Sequence, residues 1–574
     1  MKNKLYEVEE INNFRDILKL YKEKYSNKVA FKFKKNVKDN TPIEITYKEF
    51  ANEIESLGTA LLDLNLENKK VAIISPNRYE WCVSYLAITN SNIMVVPLDK
   101  SLPDNEIEGL ILRSKAECVI FDEKYLEVFK KIKDEQNSNI NYFICMDFEK
   151  DENGIYSYRK LVEKGKNLLE NKDKKFENIK IDKDKEAIML FTSGTTSISK
   201  AVMLSQYNIC SNINAIKSII KIYEKDVLLS FLPLHHTFES TTTFLTGTSC
   251  GVTIAFCDGL KYIAKNLVEY EITGFVCVPL MLEAMYKKIV KGIEEQNKTK
   301  VIKTMAKISN FLLKLHIDIR KILFKPIINK VGGHLRLIVS GAASINKETI
   351  QGFNTLGINL IQGYGLTETS PVVSAESDKY KRVGSTGFPM YNVEVKIEDK
   401  DENGIGEIAV KGPSVMSRYY ENEEATKEVL KDGWFYTGDL GYIDKDGFVY
   451  VKGRKKTVIV LKNGKNIYPE EIESLINKLD FVQESMVYEK KGLNDSDLAC
   501  KIVYDKENIK NICDKEDANS IREAIWEEIK KINKQMPPYK YIRDIIITNE
   551  PLIKTTTQKI KRHEEMKKIL NKSI

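Results

Sequence analysis

The sequence predicts an α/β protein. It has a large N-terminal domain of doubly wound sheets with an antiparallel β subdomain, and a small α+β C-terminal domain. Three observations predict this. Strand and helix signals alternate over residues 46–122, the alternation resumes after a polar Lys/Asn-rich stretch at 164–186, and the character changes after about residue 390. Thr46 and Glu49 have capping-box spacing ahead of an apolar-periodic segment that reaches about Leu66. Short apolar runs at Val71–Ser75, Ile93–Leu98 and Cys118–Phe121 are separated by helical patterns near Tyr79–Thr89 and Asn105–Arg113. Buried parallel strands joined by crossover helices read this way. Further strand-like runs stand at Ile188–Thr192, Val227–Phe231, Val252–Phe256, Gly274–Val278 and Leu335–Ser340.

After residue 390 the stretches EVKIED, GEIAVKG and FVYVKG read as antiparallel strands. A smaller segment follows Arg454. It holds a strand (Val458–Lys462), a helix opened by Tyr468-Pro469-Glu470-Glu471, two strands, a Lys-rich helix at about 519–534 and a last strand, Ile542–Thr548. Pro469 suits a first helical turn and the two glutamates suit its positive end. The domains are placed at 1–453 and 454–574.

The 574 residues are 42% hydrophobic, which is enough for several cores and too long for one ordinary domain. Against 89 basic residues stand 82 acidic ones, interspersed, so the net charge of +7 does not call for nucleic acid. The nine cysteines include no CxxC pair, so neither a zinc cluster nor a disulfide framework is expected, and a reducing cytoplasm fits. The N-terminal stretch is charged throughout, unlike a signal peptide. No apolar run has transmembrane length.

Four motifs carry chemistry. Thr192-Ser193-Gly194-Thr195-Thr196-Ser197-Ile198-Ser199-Lys200 follows a strand. Backbone N–H groups in such a hydroxyl-rich turn can form an anion nest, and Lys200 adds a point charge for phosphate. It could equally be an ordinary polar loop. Gln362-Gly363-Tyr364-Gly365-Leu366-Thr367-Glu368 also follows a strand. Its glycines allow a flat ligand to approach the backbone and stack on Tyr364. Thr367 can donate to phosphate and Glu368 offers a hard oxygen for Mg²⁺. A Gly-rich turn is the plainer alternative. Tyr436-Thr437-Gly438-Asp439-Leu440-Gly441 places an aspartate after a tight turn, where it can accept two ribose hydroxyls, and Arg454 could fork onto ribose or phosphate. Last, Pro551 to Ile560 sets Lys559 where positioning and charge could act on a carboxylate and a phosphate together.

Together, and in this order, these motifs resemble the adenylate-forming superfamily of acyl-CoA synthetases, luciferases and nonribosomal adenylation domains. The resemblance runs from about residue 27 to 565. It implies an ATP-dependent ligase that joins a carboxylic acid to AMP and then to coenzyme A, with Mg²⁺. By this resemblance Ser193, Gly194, Thr195, Thr196 and Lys200 would wrap the ATP phosphates. Gly341, Ala342, Gln362, Gly363, Tyr364 and Gly365 would frame adenine. Thr367 and Glu368 would hold the α-phosphate and Mg²⁺, Asp439 and Arg454 the ribose, and His236 would border the acyl carboxylate. Lys559 would be the adenylation lysine and Lys456 the hinge of a mobile small domain, with Asn463 to Ile467 along the pantetheine path. The sequence departs from the family at Ser197 and Ala201, where glycine is usual, at Ser199 (proline), at Gln558 (glycine) and at Thr457 (acidic). Ser197 and Ala201 are expected to stiffen the phosphate loop or lower ATP affinity.

Residues 297–330 place Val301, Ile302, Met305, Ile308, Leu312, Leu315, Ile319 and Ile322 at helical spacing among nine basic residues and a single acid, Asp318. A basic amphipathic helix on an anionic membrane face is one reading, giving a cytoplasmic or inner-face peripheral protein; a packed helix with a solvated basic face is the other. This insertion and the following GGHLRLIVSGAAS resemble long-chain fatty acyl-CoA synthetases. A fatty acyl-AMP or acyl-carrier-protein ligase and a catalytically silent adenylate binder are the alternatives. His236 and Glu239 stand at H-x-x-E spacing, but no third ligand stands at sensible spacing, so no metal is expected there.

Overall fold

The computed structural model describes residues 3–192, 199–460, 466–491, 496–554 and 560–571. The chain forms two compact units. The first holds most of the chain as far as Phe435, and the second runs chiefly over Lys396–Ala409 and Tyr436–Ile574.

The first unit is built on two large sheets. A nine-stranded sheet runs, from one edge, through Phe388–Pro389, Val372–Ala375, Asn359–Gly365, Leu337–Ser340, Gly274–Cys277, Val227–Ser230, Thr253–Phe256, Val29–Phe33 and Ile43–Thr46. Its six central strands are parallel and its edges antiparallel. An eight-stranded sheet runs through Arg418–Tyr419, Lys200–Ser205, Glu186–Thr192, Met94–Pro97, Lys70–Ile74, Cys118–Phe121, Tyr142–Cys145 and Tyr156–Ser157. It too is parallel through its middle. Cys118–Phe121 is buried along its whole length, as a two-sided parallel strand must be.

One core draws Phe31, Leu228 and Ile254 from the first sheet and Val71, Ile73 and Ile120 from the second. It joins them to the helices Phe14–Glu23, Tyr47–Asp63, Tyr79–Asn90 and Gln206–Ile219. Separate cores lie on the outer face of each sheet, under Asp104–Ser114 and Leu126–Glu135 on one and Ile263–Glu269 and Lys347–Thr355 on the other. The layers therefore alternate helix, sheet, helix, sheet, helix. The Thr46 capping box forms as expected, with the Glu49 N–H donating to Thr46 Oγ1 and the Thr46 N–H donating to Glu49 Oε2.

In the second unit, Val482–Lys491, Ser496–Tyr504 and Ile542–Thr548 form a sheet, packed by Pro469–Ile476 and Ala518–Asn533. Pro469 begins its helix, and Glu471 in that first turn accepts from Lys452 and Lys540, both at 2.8 Å.

Two expectations are corrected. The tight turn placed before Asp439 is instead the interior of a ten-residue strand, Trp434–Ile443, in which Gly438 alone takes φ +70°. Of the strand placed at Val458–Lys462, Ile459–Val460 forms, and residues 461–462 lie outside the described residues. The helical pattern over 297–330 breaks. Thr299–Lys314 is one helix, His316 takes φ +63°, and only short helices follow at Arg320–Leu323 and Lys325–Ile328. Ile302 and Met305 pack against Phe324, Ile328 and Leu356, whereas Val301, Ile308, Phe311 and Leu315 are exposed. One apolar stripe thus serves two faces. Among the described residues no helix is long and apolar enough to cross a membrane.

Candidate active site

Parallel strands present their carboxyl ends along one edge, where α/β proteins bind ligands. In the first unit that edge gathers several predicted residues. Gly341 and Ala342 follow Leu337–Ser340, and Gln362 to Gly365 end the neighbouring strand, with Ser340 directly opposite Gln362. A Cβ on Gly341 would lie 2.8 Å from the Phe238 ring, and Ala342 takes φ +70°, a strained value for a residue with a side chain. The two glycines around Tyr364 differ. A Cβ on Gly365 would strike the Pro371 carbonyl at 1.9 Å, so the fold itself requires that glycine. A Cβ on Gly363 would make only ordinary contacts, so packing does not account for it. Beside it the Gln362 side-chain oxygen is buried without a hydrogen-bond partner. A buried lone acceptor next to a bare stretch of backbone suits a flat ring that carries an N–H donor, such as adenine.

Beside this strand, just past the antiparallel Val372–Ala375, lies Glu376, which nothing in the sequence singled out. It accepts the Gln362 backbone N–H at 3.0 Å and that of Arg382 at 2.9 Å. Burial pushes its carboxyl up to about 7, partly offset by those two N–H groups and Lys381. Lys381 is pulled down to about 8 by the same burial.

Thr367 and Glu368 open a short 3₁₀ turn after the strand. Glu368 is held twice: Tyr419 donates its hydroxyl to Oε1 at 2.8 Å, and the Met416 N–H donates to the Glu368 carbonyl. The Lys200 ammonium stands 4.7 Å from the centre of the Tyr419 ring. Tyr419 therefore contacts both Glu368 and Lys200. The carboxylate fits Mg²⁺, a hard cation that favours one or two anionic oxygens beside phosphate. Bound there, Mg²⁺ would supply neutralisation of phosphate charge.

Ser193, Gly194, Thr195 and Thr196 lie outside the described residues, as do Lys559 and Asn463. The flanks of the phosphate segment are described. Arg113, on the helix Asp104–Ser114, donates to the Ser199 hydroxyl at 3.0 Å and to the Ser199 carbonyl at 2.6 Å. Ala201 is buried in the core on the outer face of the eight-stranded sheet, so its methyl fills that core.

His235 and His236 follow Val227–Ser230 of the nine-stranded sheet, and Asp99 follows Met94–Pro97 of the eight-stranded one. Asn77 ties the two edges together. It donates to Ser230 Oγ and the Leu232 carbonyl and accepts the Leu234 N–H. His235 Nε2 lies 3.3 Å from Asp99 Oδ1. Glu239 is fully buried, and burial pushes its carboxyl up to about 8; Thr243 donates to its Oε2 at 3.1 Å.

In the second unit Asp439 and Arg454 pair across adjacent strands, with Arg454 Nε 2.8 Å from Asp439 Oδ1. Glu407 accepts the Gly438 N–H at 3.0 Å and the Lys455 ammonium at 2.7 Å, fixing the backbone on both sides. Lys456 lies in the 3₁₀ turn Lys455–Thr457. The Thr457 hydroxyl reaches the Arg454 carbonyl at 3.0 Å and Glu470 at 3.2 Å. Nearer the C-terminus Lys554 and Ile560 pair as an isolated bridge.

A fold of this layering, with these residues at the sheet edge, defines an adenylate-forming ligase. The chain belongs to the AMP-binding enzyme family. That family's profile matches residues 19–420, and the profile of the AMP-binding enzyme C-terminal domain matches 456–572. The chain is 30% identical to the mouse protein named long-chain-fatty-acid–CoA ligase 5, over 92% of this chain and 83% of that one. It is 27% identical to the Arabidopsis thaliana chloroplastic long-chain-fatty-acid–[acyl-carrier-protein] ligase AEE15, over 95% and 84%. Among solved structures, the anthranilate CoA ligase AuaEII in complex with anthranoyl-AMP superposes with a TM-score of 0.77 at 19% identity, covering 98% of each chain.

Tyr419, Arg113, Glu376 and Asp99 were not found from sequence. Each is a common residue in an unremarkable local context, and only its partner gives it meaning.

Proposed function

We propose that the protein ligates a long-chain fatty acid to coenzyme A. The acid carboxylate attacks the α-phosphorus of ATP, pyrophosphate leaves, and the CoA thiol then attacks the acyl-adenylate carbonyl to release AMP. The carrying observation is Glu368, locked by Tyr419 beside Lys200: an anionic oxygen and a cation, both held in place, at a sheet edge that suits adenine. Lys200 and the preceding loop bind phosphate, Asp439 and Arg454 bind ribose, and His236 borders the acid. Lys559 orients the carboxylate against phosphorus, and Lys456 is the hinge. The long-chain specificity draws on the mouse relative and on the inserted segment around Thr299–Lys314.

The same segment supports work at an anionic membrane on the cytoplasmic side. Phe311 is 63% and Ile322 76% exposed, and lysines flank Val301, Ile308 and Leu315. Apolar insertion and lysine attraction add on such a surface. Flotation with vesicles containing phosphatidylserine should carry the wild-type protein but not Ile308→Ser/Phe311→Ser. Equal flotation of both would end this part of the reading.

The Arabidopsis relative favours a second reading, in which an acyl carrier protein takes the acyl group. Pyrophosphate exchange with acids from acetate to stearate, followed by CoA or carrier protein supplied to enzyme plus acyl-AMP, separates these. Exchange with palmitate and turnover by CoA are expected; exchange with no acid despite ATP binding would overturn the ligase reading.

A further inference from the structure

Asp99, His235 and His236 bring three candidate ligand atoms within 4.8 Å of one another, on loops from two different sheets. His236 was paired in sequence only with Glu239; Asp99, 137 positions away, supplies what that pattern lacked.

The geometry has features that a simple hydrogen bond does not explain. His235 Nε2 is buried and has no hydrogen-bond partner, although Asp99 Oδ1 stands 3.3 Å away. Adjacent ligand atoms of a tetrahedral zinc ion are about 3.4 Å apart, because the bonds are about 2.1 Å long. The His235–Asp99 separation is compatible with a shared cation. The site is also built from outside. The Ser101 N–H donates to Asp99 Oδ1 at 2.9 Å, orienting the carboxylate. Asn77 holds the histidine loop through the Leu232 carbonyl and the Leu234 N–H. The His235 and His236 rings are 4.3 Å apart and tilted by 50°.

We propose that Asp99, His235 and His236 form a three-ligand site for a divalent cation of the zinc class. Two imidazoles and one carboxylate select borderline ions such as Zn²⁺ or Co²⁺ over Mg²⁺. Its ligand set differs from the single carboxylate of Glu368. An ion here ties down His236 and competes with the acid carboxylate for it; this consequence rests on the ligase reading, whereas the binding itself does not.

The test uses the full chain and Co²⁺ alone. Wild type is expected to take up about one equivalent with the intense visible bands of tetrahedral cobalt, and Zn²⁺ to bleach them. Asp99→Ala and His235→Ala should each weaken binding by at least about 10-fold. Asp99→Asn, which keeps the Ser101 hydrogen bond but loses the charge, covers the case in which the alanine variants do not fold. Absence of a tetrahedral spectrum in folded wild type, or equal affinity in folded variants, overturns the proposal. In pyrophosphate exchange, Zn²⁺ should raise the KM for the acid in wild type and not in Asp99→Asn. A protein that shows the cobalt spectrum but exchanges with no acid keeps the site and loses the ligase reading.

Discussion

The Tyr419 hydroxyl donates to Glu368 Oε1 at 2.8 Å, joining residues 51 positions apart. Tyr419 is 4% exposed, so the hydrogen bond to this carboxylate is largely shielded from water. Bonds to charged groups of this kind are worth about 1.5–3 kcal/mol. Tyr419→Phe is expected to slow pyrophosphate exchange by about 10-fold or more and to raise the Mg²⁺ concentration needed for half-maximal rate. Unchanged magnesium dependence would show that Glu368 does not need this partner.

Arg113 reaches the hydroxyl and the carbonyl of Ser199, at a position where the family resemblance leads one to expect proline. A proline sets its own backbone angle; here an external guanidinium does the setting. Arg113 is exposed, so about 1 kcal/mol is at stake. Arg113→Ala should raise the KM for ATP by about fivefold and leave the KM for the acid alone. A shift in the acid KM alone would place its effect elsewhere.

Glu376 gives a pH dependence. Its carboxyl titrates at about 7 in the folded chain, above the ordinary value of 4.5, chiefly because of burial. Between those values the folded state binds more protons than the unfolded state, so stability falls as pH rises. The contribution is fully present below about pH 4.5 and lost through about pH 7, and it amounts to about 3 kcal/mol. Glu376→Gln should flatten the thermal midpoint of the first unit across this window. A midpoint that falls as steeply in the variant as in the wild type would assign the titration to another group.

Lys559→Ala should lower adenylation by on the order of 10²–10³ and leave thioester formation from supplied acyl-AMP nearly intact. Single-turnover assays of the two half-reactions measure this directly. Equal loss in both would remove the lysine from the first step.

Much of the fold was legible because local patterning carried it. Cys118–Phe121 and Ile542–Thr548 fall where their apolar runs placed them, and the helix at Tyr79–Asn90 differs by one residue from its periodicity. The errors came where partners override propensity. Gly438 and Asp439 look like a turn, but pairing with Val449–Arg454 draws them into a strand. The stripe over 297–330 reads as one helix, but Ile302 and Met305 turn toward Phe324 while Phe311 turns away.

The sequence by itself determined the family and the α/β class with its smaller α+β domain, because spacing and motif survive in one dimension. Only the tertiary structure decided that the Pro371 carbonyl leaves Gly365 no room for a side chain, that Tyr419 holds Glu368, and that Asp99 stands against His235. Such pairings depend on which sheet edges face each other. That is fixed by the burial of whole layers, not by any residue's neighbours in the chain.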